Sequence, residues 1–309
     1  MMLRHLGPRL RTRIGRQSLR HSLAKRLNPL LRRWGYTVIA DHFYQPLPNP
    51  HEVLLYQDRE RPLGSVVWDL PGQRDLVRAL LAKYQGEFRS VLLRAYDPGT
   101  SGLLTGDAEV LYAMVREKRP RMVVEVGAGG STLIIAAALE RNHTEGGAKA
   151  SLLSVDPYPP RALRDLVAGT RHALDFQLLE RPVQSVDVGV CRGVEENDLV
   201  FVDSSHVFKQ GSDVEFEFLQ VYPALQRGVL VHIHDIFFPF DYPAAWSAVE
   251  SWFWNEQYFL ETFLQFNNKF RVVASLALIA HHDRGVFAET LPGFPEKARP
   301  ASFWMEAIR

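Results

Sequence analysis

The stretch Val123-Val-Glu-Val-Gly-Ala-Gly-Gly-Ser-Thr132 constrains the fold of this chain more than any other. Val123, Val124 and Val126 are β-branched and suit a strand buried on both faces by crossover helices. Gly127, Gly129 and Gly130 open backbone angles closed to other residues and let a ligand approach the main chain. Ser131 is a good N-cap for the apolar helix expected over 132–140. Strand, glycine turn and helix N-terminus together predict a cofactor cradle. A tight turn with no ligand would carry the same glycines.

Strand and helix patterns alternate along most of the chain. Further strands are expected at 151–156, 176–179, 198–203, 228–235 and 270–278, with a last one near Val286-Phe287. Helices are expected over 72–88, 105–118, 213–221 and 244–266, the last with Trp246, Val249, Phe253, Leu260 and Phe263 as its core stripe. This alternation predicts a Rossmann-like α/β fold: a doubly wound, seven-stranded, mostly parallel sheet with an N-terminal helical extension. Four segments follow: a basic amphipathic arm over 1–33, an extension or substrate cap over 34–98, a cofactor domain over 99–290 and an irregular tail over 291–309.

The dinucleotide fingerprint G-x-G-x-x-G would put its third glycine at 132, where Thr stands. With Glu125 two residues before Gly127, E-V-G-A-G-G-S-T instead resembles motif I of the class I S-adenosylmethionine-dependent methyltransferases. The resemblance implies that Glu125, Gly127, Ala128, Gly129 and Ser131 surround the methionine part of S-adenosylmethionine. Asp156 closes the second strand 29 positions after Gly127, where a carboxylate accepts hydrogen bonds from both ribose hydroxyls. Pro157 follows it, and the resemblance puts Gln184 near the adenine.

The carboxyl ends of strands 4 and 5 carry the reactive groups. Asp198-Leu-Val-Phe-Val-Asp203 leads into Ser204-Ser-His206, and Gly228-Val-Leu-Val-His-Ile-His-Asp235 ends in two histidines and an acid. Ligands of open α/β sheets bind outside these strand ends, so Asp203, Ser204 and His206 should face the cofactor and the transferred methyl. His232 reads as a core histidine. With a period of two it shares a face with His234, while Asp235 turns to the other, so all three meet only if the strand breaks. Asp203, His206 and Asp235 resemble the metal acid, base and second metal acid of catechol O-methyltransferases. An Asp then His at this spacing is similar to macrolide-sugar O-methyltransferases. The resemblance implies O-methylation of a small molecule or sugar hydroxyl, with His206 as general base, Asp203 and His234 beside it, and a Mg²⁺ held by Asp203 and Asp235. Catechol-type enzymes follow the second acid with Asn; this chain has Ile236, which leaves the metal open.

A net charge of +1 in 309 residues gives no global field for nucleic acid, and no partner of that kind is expected. The single cysteine, Cys191, excludes an intramolecular disulfide and suits a reducing, cytoplasmic compartment. The basic charge is local: ten Arg and Lys precede the first acid, Asp41, and Leu19, Leu23, Leu27 and Leu30 recur at helical spacing. That arm suits a partner-docking helix, a helix on an anionic membrane surface, or a targeting peptide. Phe237-Phe-Pro-Phe-Asp-Tyr-Pro243 either lines an acceptor pocket or fills the core, and His281-His282 reads as an exposed turn. A NAD-binding protein, a non-catalytic Rossmann-like protein and a metal-dependent oxygenase are the competing classes. The acceptor and the oligomeric state, a homo-oligomer included, stay open.

Overall fold

Strand β1 (Met122–Val126) forms the centre of a seven-stranded sheet. It is flanked by β2 (Ala150–Val155) and then β3 (Leu174–Leu179) on one side, and by β4 (Leu199–Val202) and then β5 (Leu230–Ile233) on the other. These five are parallel. Beyond β5 lies β7 (Phe303–Ala307), antiparallel to β5 and to the edge strand β6 (Phe270–Ser275), which gives the order β3-β2-β1-β4-β5-β7-β6. The doubly wound, mostly parallel sheet expected from the alternation is therefore present. This computed structural model describes residues 23–24, 26–39, 45–57, 59–92, 103, 105–160, 163, 165 and 173–309. Arg4 to Arg20, Lys25, Phe43, Tyr44 and the 97–100 turn lie outside the described residues.

The period of two in the strands sends alternate side chains to two cores. Val123, Leu152, Phe201 and Leu230 face a layer formed by α1 (Leu70–Leu92), α2 (Asp107–Lys118) and α3 (Gly130–Thr144), through Val77, Leu81, Leu111, Ile134 and Leu139. Val124, Val126, Val200, Val202, Val231 and Ile233 face the other layer, with Val214, Phe218 and Val221. That second layer includes a helix that begins at Asp213–Phe216, widens to a π-turn over Glu217–Val221 and closes at Tyr222–Ala224.

The chain divides into two compact units, Met1–Leu55 and Tyr56–Arg309. Within the first, the Asn28 amide donates to Val38 O (3.0 Å) and accepts from Val38 N–H (2.8 Å), tying a helical 26–31 segment to 35–39. Leu23, Leu27 and Leu30 of the leucine stripe are exposed. The expected 34–98 cap does not hold together as one segment. Its long helix, α1, belongs to the sheet-covering layer of the second unit, where Gln73 Oε1 accepts from Ser275 N–H at 2.8 Å.

Four further expectations are corrected. The 291–309 segment is not a tail, because β7 inserts between β5 and β6. Phe303, Trp304 and Met305 are buried on both faces, so the strand lacks the polar alternation that would reveal it. Val286-Phe287 is helical, within Gly285–Ala288. Strand 6 stops at Ser275, and Leu276–His282 is helix α6, with His281 and His282 exposed at its end. The expected 244–266 helix is two helices, α4 (Ala244–Ala248) and α5 (Glu256–Gln265). Between them Asn255 and Glu256 N–H both donate to His206 O, at 3.0 and 3.2 Å, so bonds to the loop after β4 replace helical ones. Val249 is consequently exposed, while Leu260 keeps its core position.

Ser131 is not the N-cap of α3. The helix opens from Gly129, whose N–H donates to Thr132 Oγ1 at 3.0 Å. Ser131 and Thr132 hydroxyls instead donate to the buried Glu125 carboxylate at 2.7 Å each, and Ser154 across the β1–β2 register adds a third. Burial pushes this carboxyl up to about 7, against the opposing pull of those three hydroxyls. From its ordinary 4.5 to about 7 the unfolded chain loses a proton that the folded chain keeps. Stability contributed by this group therefore falls as pH rises through that window and stays at its lower level above it. Glu125→Gln removes the titration. Thermal denaturation from pH 5 to 8 should show the variant gaining on the parent by up to about 3 kcal/mol; a difference that stays flat with pH contradicts the assignment.

Candidate active site

Register places the reactive residues side by side. Asp203 N–H donates to Val126 O and His234 N–H to Val202 O, both at 2.9 Å, so the first residue past β4 and the first past β5 emerge as neighbours. Gly127 permits this closeness. Its φ is +86°, and a Cβ there would stand 2.0 Å from Asp203 O. Beyond these points the chain turns sharply: His206 and Asp235 take left-handed φ of 57° and 55°, a conformation that non-glycine residues rarely adopt. The turn at Asp235 supplies the strand break that the period of two required. Asp235 comes back to the same side as His234, with Oδ2 3.4 Å from His234 Nδ1.

A cleft of about 470 Å³ opens between the ends of β1, β2 and β4, within the usual range for a cofactor or substrate site. Of the residues expected at the cofactor, Gly127, Asp156, Pro157, Gln184, Asp203 and Ser204 line it. Asp156 Oδ2 accepts from Ala128 N–H at 2.9 Å and Oδ1 from Tyr158 N–H at 2.6 Å. A carboxylate has about four acceptor sites, so two remain for ribose hydroxyls. Gln184 Nε2 is fixed on Gly211 O at 2.9 Å. Ala128 and Gly129, which continue the turn after Gly127, do not line the cleft. Glu125 and Ser131 stand apart from it, since their side chains are spent on each other inside the fold. Together these groups fit an adenosyl cofactor, with the Asp156 carboxylate at one end of the cleft and Asp203 at the other.

At the Asp203 end lies a dense set of ionisable groups. His206 is buried; its Nε2 is 3.3 Å from Asp203 and 3.5 Å from Asp235, and its Nδ1 is 2.9 Å from Glu256. Burial alone would lower this imidazole, but Asp203 and Glu256 outweigh it and push it up to about 10. Burial pulls His234 down as well, yet Asp203 and Asp235 raise it overall. Asp203 is pulled the other way: burial would raise it, and the two histidines hold it below the usual carboxylate range. His232 is a core residue, as its place in the strand suggests. Its ring stacks on Phe201 at 4.3 Å, Nε2 meets Ser302 Oγ at 2.9 Å, and burial lowers its pKa.

One oxygen or nitrogen from each of Asp203, His206 and Asp235 lies within 4.8 Å of the others, spacing suited to one metal ion. His234 stands next to this trio rather than in it. Three participants escaped the sequence reading. Glu256 sits 50 residues after His206, and only the break before α5 brings it there. Asp107, at the start of α2, looks like an ordinary first-turn acid. It accepts from Ala301 and Ser302 N–H at 2.9 and 2.7 Å and approaches His234 Nε2 at 3.8 Å. Trp254 covers His206 with ring centroids 4.3 Å apart, and Trp246, Trp252 and Tyr242 continue the aromatic shell.

Residues 124–236 match the family described as a methyltransferase domain. A protein of Archaeoglobus fulgidus named only as uncharacterized is 29% identical over 167 residues, which cover 50% of this chain and 73% of that one. Among solved structures, the SAH-bound methyltransferase PaMTH1 of Podospora anserina is 12% identical with a TM-score of 0.40, covering 89% of this chain and all of that one. CalS11, a TDP-rhamnose 3'-O-methyltransferase of calicheamicin biosynthesis, is 13% identical with a TM-score of 0.42, covering 76% and 92%. These likenesses are too slight to transfer chemistry, which has to come from this chain's own residues.

The bracket around His206 is testable without any ligand. Glu256→Gln keeps an acceptor for Nδ1–H and removes its charge. A histidine titration by NMR should find the His206 pKa lowered by about one unit or more. No change would show that Asp203 and Asp235 alone set it.

Proposed function

We propose that this chain, a class I S-adenosylmethionine-dependent methyltransferase by its matched domain and strand order, methylates a hydroxyl oxygen of a small acceptor. The convergence of Asp203, His206 and Asp235 at the mouth of the cofactor cleft carries this reading. S-adenosylmethionine, when bound, supplies a methyl on a sulfonium. Asp156 and Gly127 would hold it, and Asp203 and Ser204 would border its reactive end.

His206 Nε2 takes the acceptor's hydroxyl proton. The deprotonated oxygen would be the nucleophile for the sulfonium methyl, the electron pair of the broken carbon–sulfur bond remaining with the neutral thioether that leaves. Glu256 fixes the imidazole through Nδ1–H, so that Nε2 faces Asp203 and Asp235. A base has to be neutral when the acceptor arrives, whereas the two carboxylates favour the imidazolium. Asp203 and Asp235 would hold a hard divalent ion such as Mg²⁺, whose charge offsets theirs and lowers the acceptor hydroxyl's pKa. The donor set fits: one carboxylate oxygen each from Asp203 and Asp235 lies within 4.8 Å of the other, and His206 Nε2 stands beside them, left free as the base. His234, protonated between Asp203 and Asp235, holds both in place. The Trp254 and Trp252 rings, stacked 5.4 Å apart, offer a flat apolar face for the acceptor beside the base.

Calorimetry and an acceptor screen that reads S-adenosylhomocysteine release test these roles. His206→Ala should leave S-adenosylmethionine affinity unchanged and lower turnover about 10²–10⁴-fold; loss of cofactor binding instead would remove its role as base. Asp156→Ala should weaken the cofactor by more than tenfold, about 1.4 kcal/mol. Asp235→Asn should abolish any stimulation by Mg²⁺ and leave cofactor affinity intact.

The exposed leucines at 23, 27 and 30 among arginines support a second, separate proposal, that the arm rests on an anionic membrane surface. Binding to anionic vesicles that survives deletion of residues 1–33 would exclude it.

A further inference from the structure

The loop that leaves Asp235 also walls a second cavity, of about 280 Å³, at the carboxyl ends of β5 and β6. Its floor is apolar: Phe237, Phe240, Ala277 and Ala280. Its rim carries the guanidinium groups of Arg284 and Arg299 beside His281, and no acid lines it among the described residues. Glu60 meets His281 Nε2 at 3.4 Å, no ion pair joins it to Arg284 or Arg299 among the described residues, and two other carboxylates are held by arginines outside the cavity. Asp283 is held by Arg74 at 2.6 Å and Arg78 at 3.2 Å, and Asp241 by Arg61 at 3.1 Å. Arg284 donates to the carbonyls of Ala298 and Pro295 and lies over the Phe294 ring, contacts that orient the guanidinium without neutralising it. Arg299 is exposed, with no ion pair or hydrogen bond among the described residues. The ring of His281 stands edge-on to Phe240 at 4.9 Å, continuing the apolar floor up to the charged rim.

This cavity is joined to the reactive cluster. Phe237 is two residues past Asp235, so their Cα atoms are at most about 7 Å apart. Phe237 also packs on Trp246 at 5.4 Å, Trp246 on Trp254 at 4.7 Å, and Trp254 on His206. An acceptor with its hydroxyl at His206 and an apolar body laid along this aromatic wall would bring a negative group toward the arginines.

We infer that the Phe237–Arg299 cavity binds an anionic group, a carboxylate or phosphate ester, carried on an apolar body of the methyl acceptor. Arginine suits both anions, since its planar fork meets two oxygens at once. The volume suits a fragment rather than a whole large ligand. Only the acceptor role rests on the methyl-transfer reading; the pairing of anion and arginine does not.

The test uses the full chain and three probes of one shape: phenylacetate, phenyl phosphate and the neutral phenylacetamide, titrated by NMR or calorimetry. A fragment of about ten non-hydrogen atoms should bind with a Kd in the low-millimolar range. At least one anion should bind, and the amide should be about tenfold weaker. The stronger of the two anions names the source, acid or phosphate ester. Arg299→Gln, at an exposed position, should keep the melting temperature and S-adenosylmethionine affinity and weaken the anion about fivefold or more. Arg284→Lys, which keeps the charge and loses the fork, should weaken it as well. Equal binding of amide and anion, no effect of Arg299→Gln, or no binding of either anion overturns the site. In the loaded protein, hydroxyphenylacetate should accept methyl and hydroxyphenylacetamide should not; equal transfer to both overturns the acceptor role. Failure to bind S-adenosylmethionine would remove the methyl-transfer reading while leaving the anion titrations to decide the cavity.

Discussion

The parallel register of β1, β4 and β5 is the constraint on which the site depends. Val126 pairs with Val202 and Val202 with Ile233, so three strands stop level with one another. A shift of one residue would send every side chain to the opposite core and carry Asp203 and His234 away from the cleft. The two layers make such a shift costly, because each strand is buried on both faces. Gly127 belongs to the same constraint, since any side chain there would displace the Asp203 carbonyl. The glycine turn thus serves strand packing and cofactor access together.

Charge is concentrated where the sheet ends. Asp203, Asp235, Glu256 and Asp107 surround His206 and His234 in a largely buried volume, and Glu217 adds a carboxyl raised by burial and by Glu256. Buried ionised groups lose hydration, and their mutual attraction only partly offsets that loss. The left-handed φ values of His206 and Asp235 add local strain. A chain selected for stability alone would fill this space with apolar residues. The arrangement is consistent with a site that must hold a proton, or an ion in its place, between two carboxylates.

Around that charge the aromatic residues have two different duties. Phe238 is fully buried against Trp68 and Phe303 and belongs to the core. Phe237, Phe240 and Tyr242, in the same loop, face the second cavity or the tryptophan shell. One seven-residue stretch therefore both anchors and lines. Arg61 secures it from the amino-terminal side, through its N–H to Pro239 O at 3.0 Å and through Asp241 and Glu261.

Local pattern in the sequence was enough to determine the parallel core of the sheet, the glycine turn, Asp156 at the end of β2, and the reactive ends at Asp203-Ser-Ser-His206 and His234-Asp235. Each is a short-range signal: β-branched runs, a glycine cluster, an acid where a strand stops. His232 was also legible as a core histidine, from its place inside the strand. Glu125 and Ser131 read as cofactor groups because motif position does not say which way a side chain points; from β1 and the first turn of α3 they close on each other instead, with Ser154 joining across the β1–β2 register. Only the tertiary structure decided β7, whose two buried faces erase alternation, and the split between α4 and α5, where bonds to His206 O outweigh helix propensity. It alone supplied Glu256, Asp107 and Trp254, which reach the two histidines from distant parts of the chain. Such contacts follow from how layers pack, and packing between segments far apart in sequence leaves no periodic trace in either one.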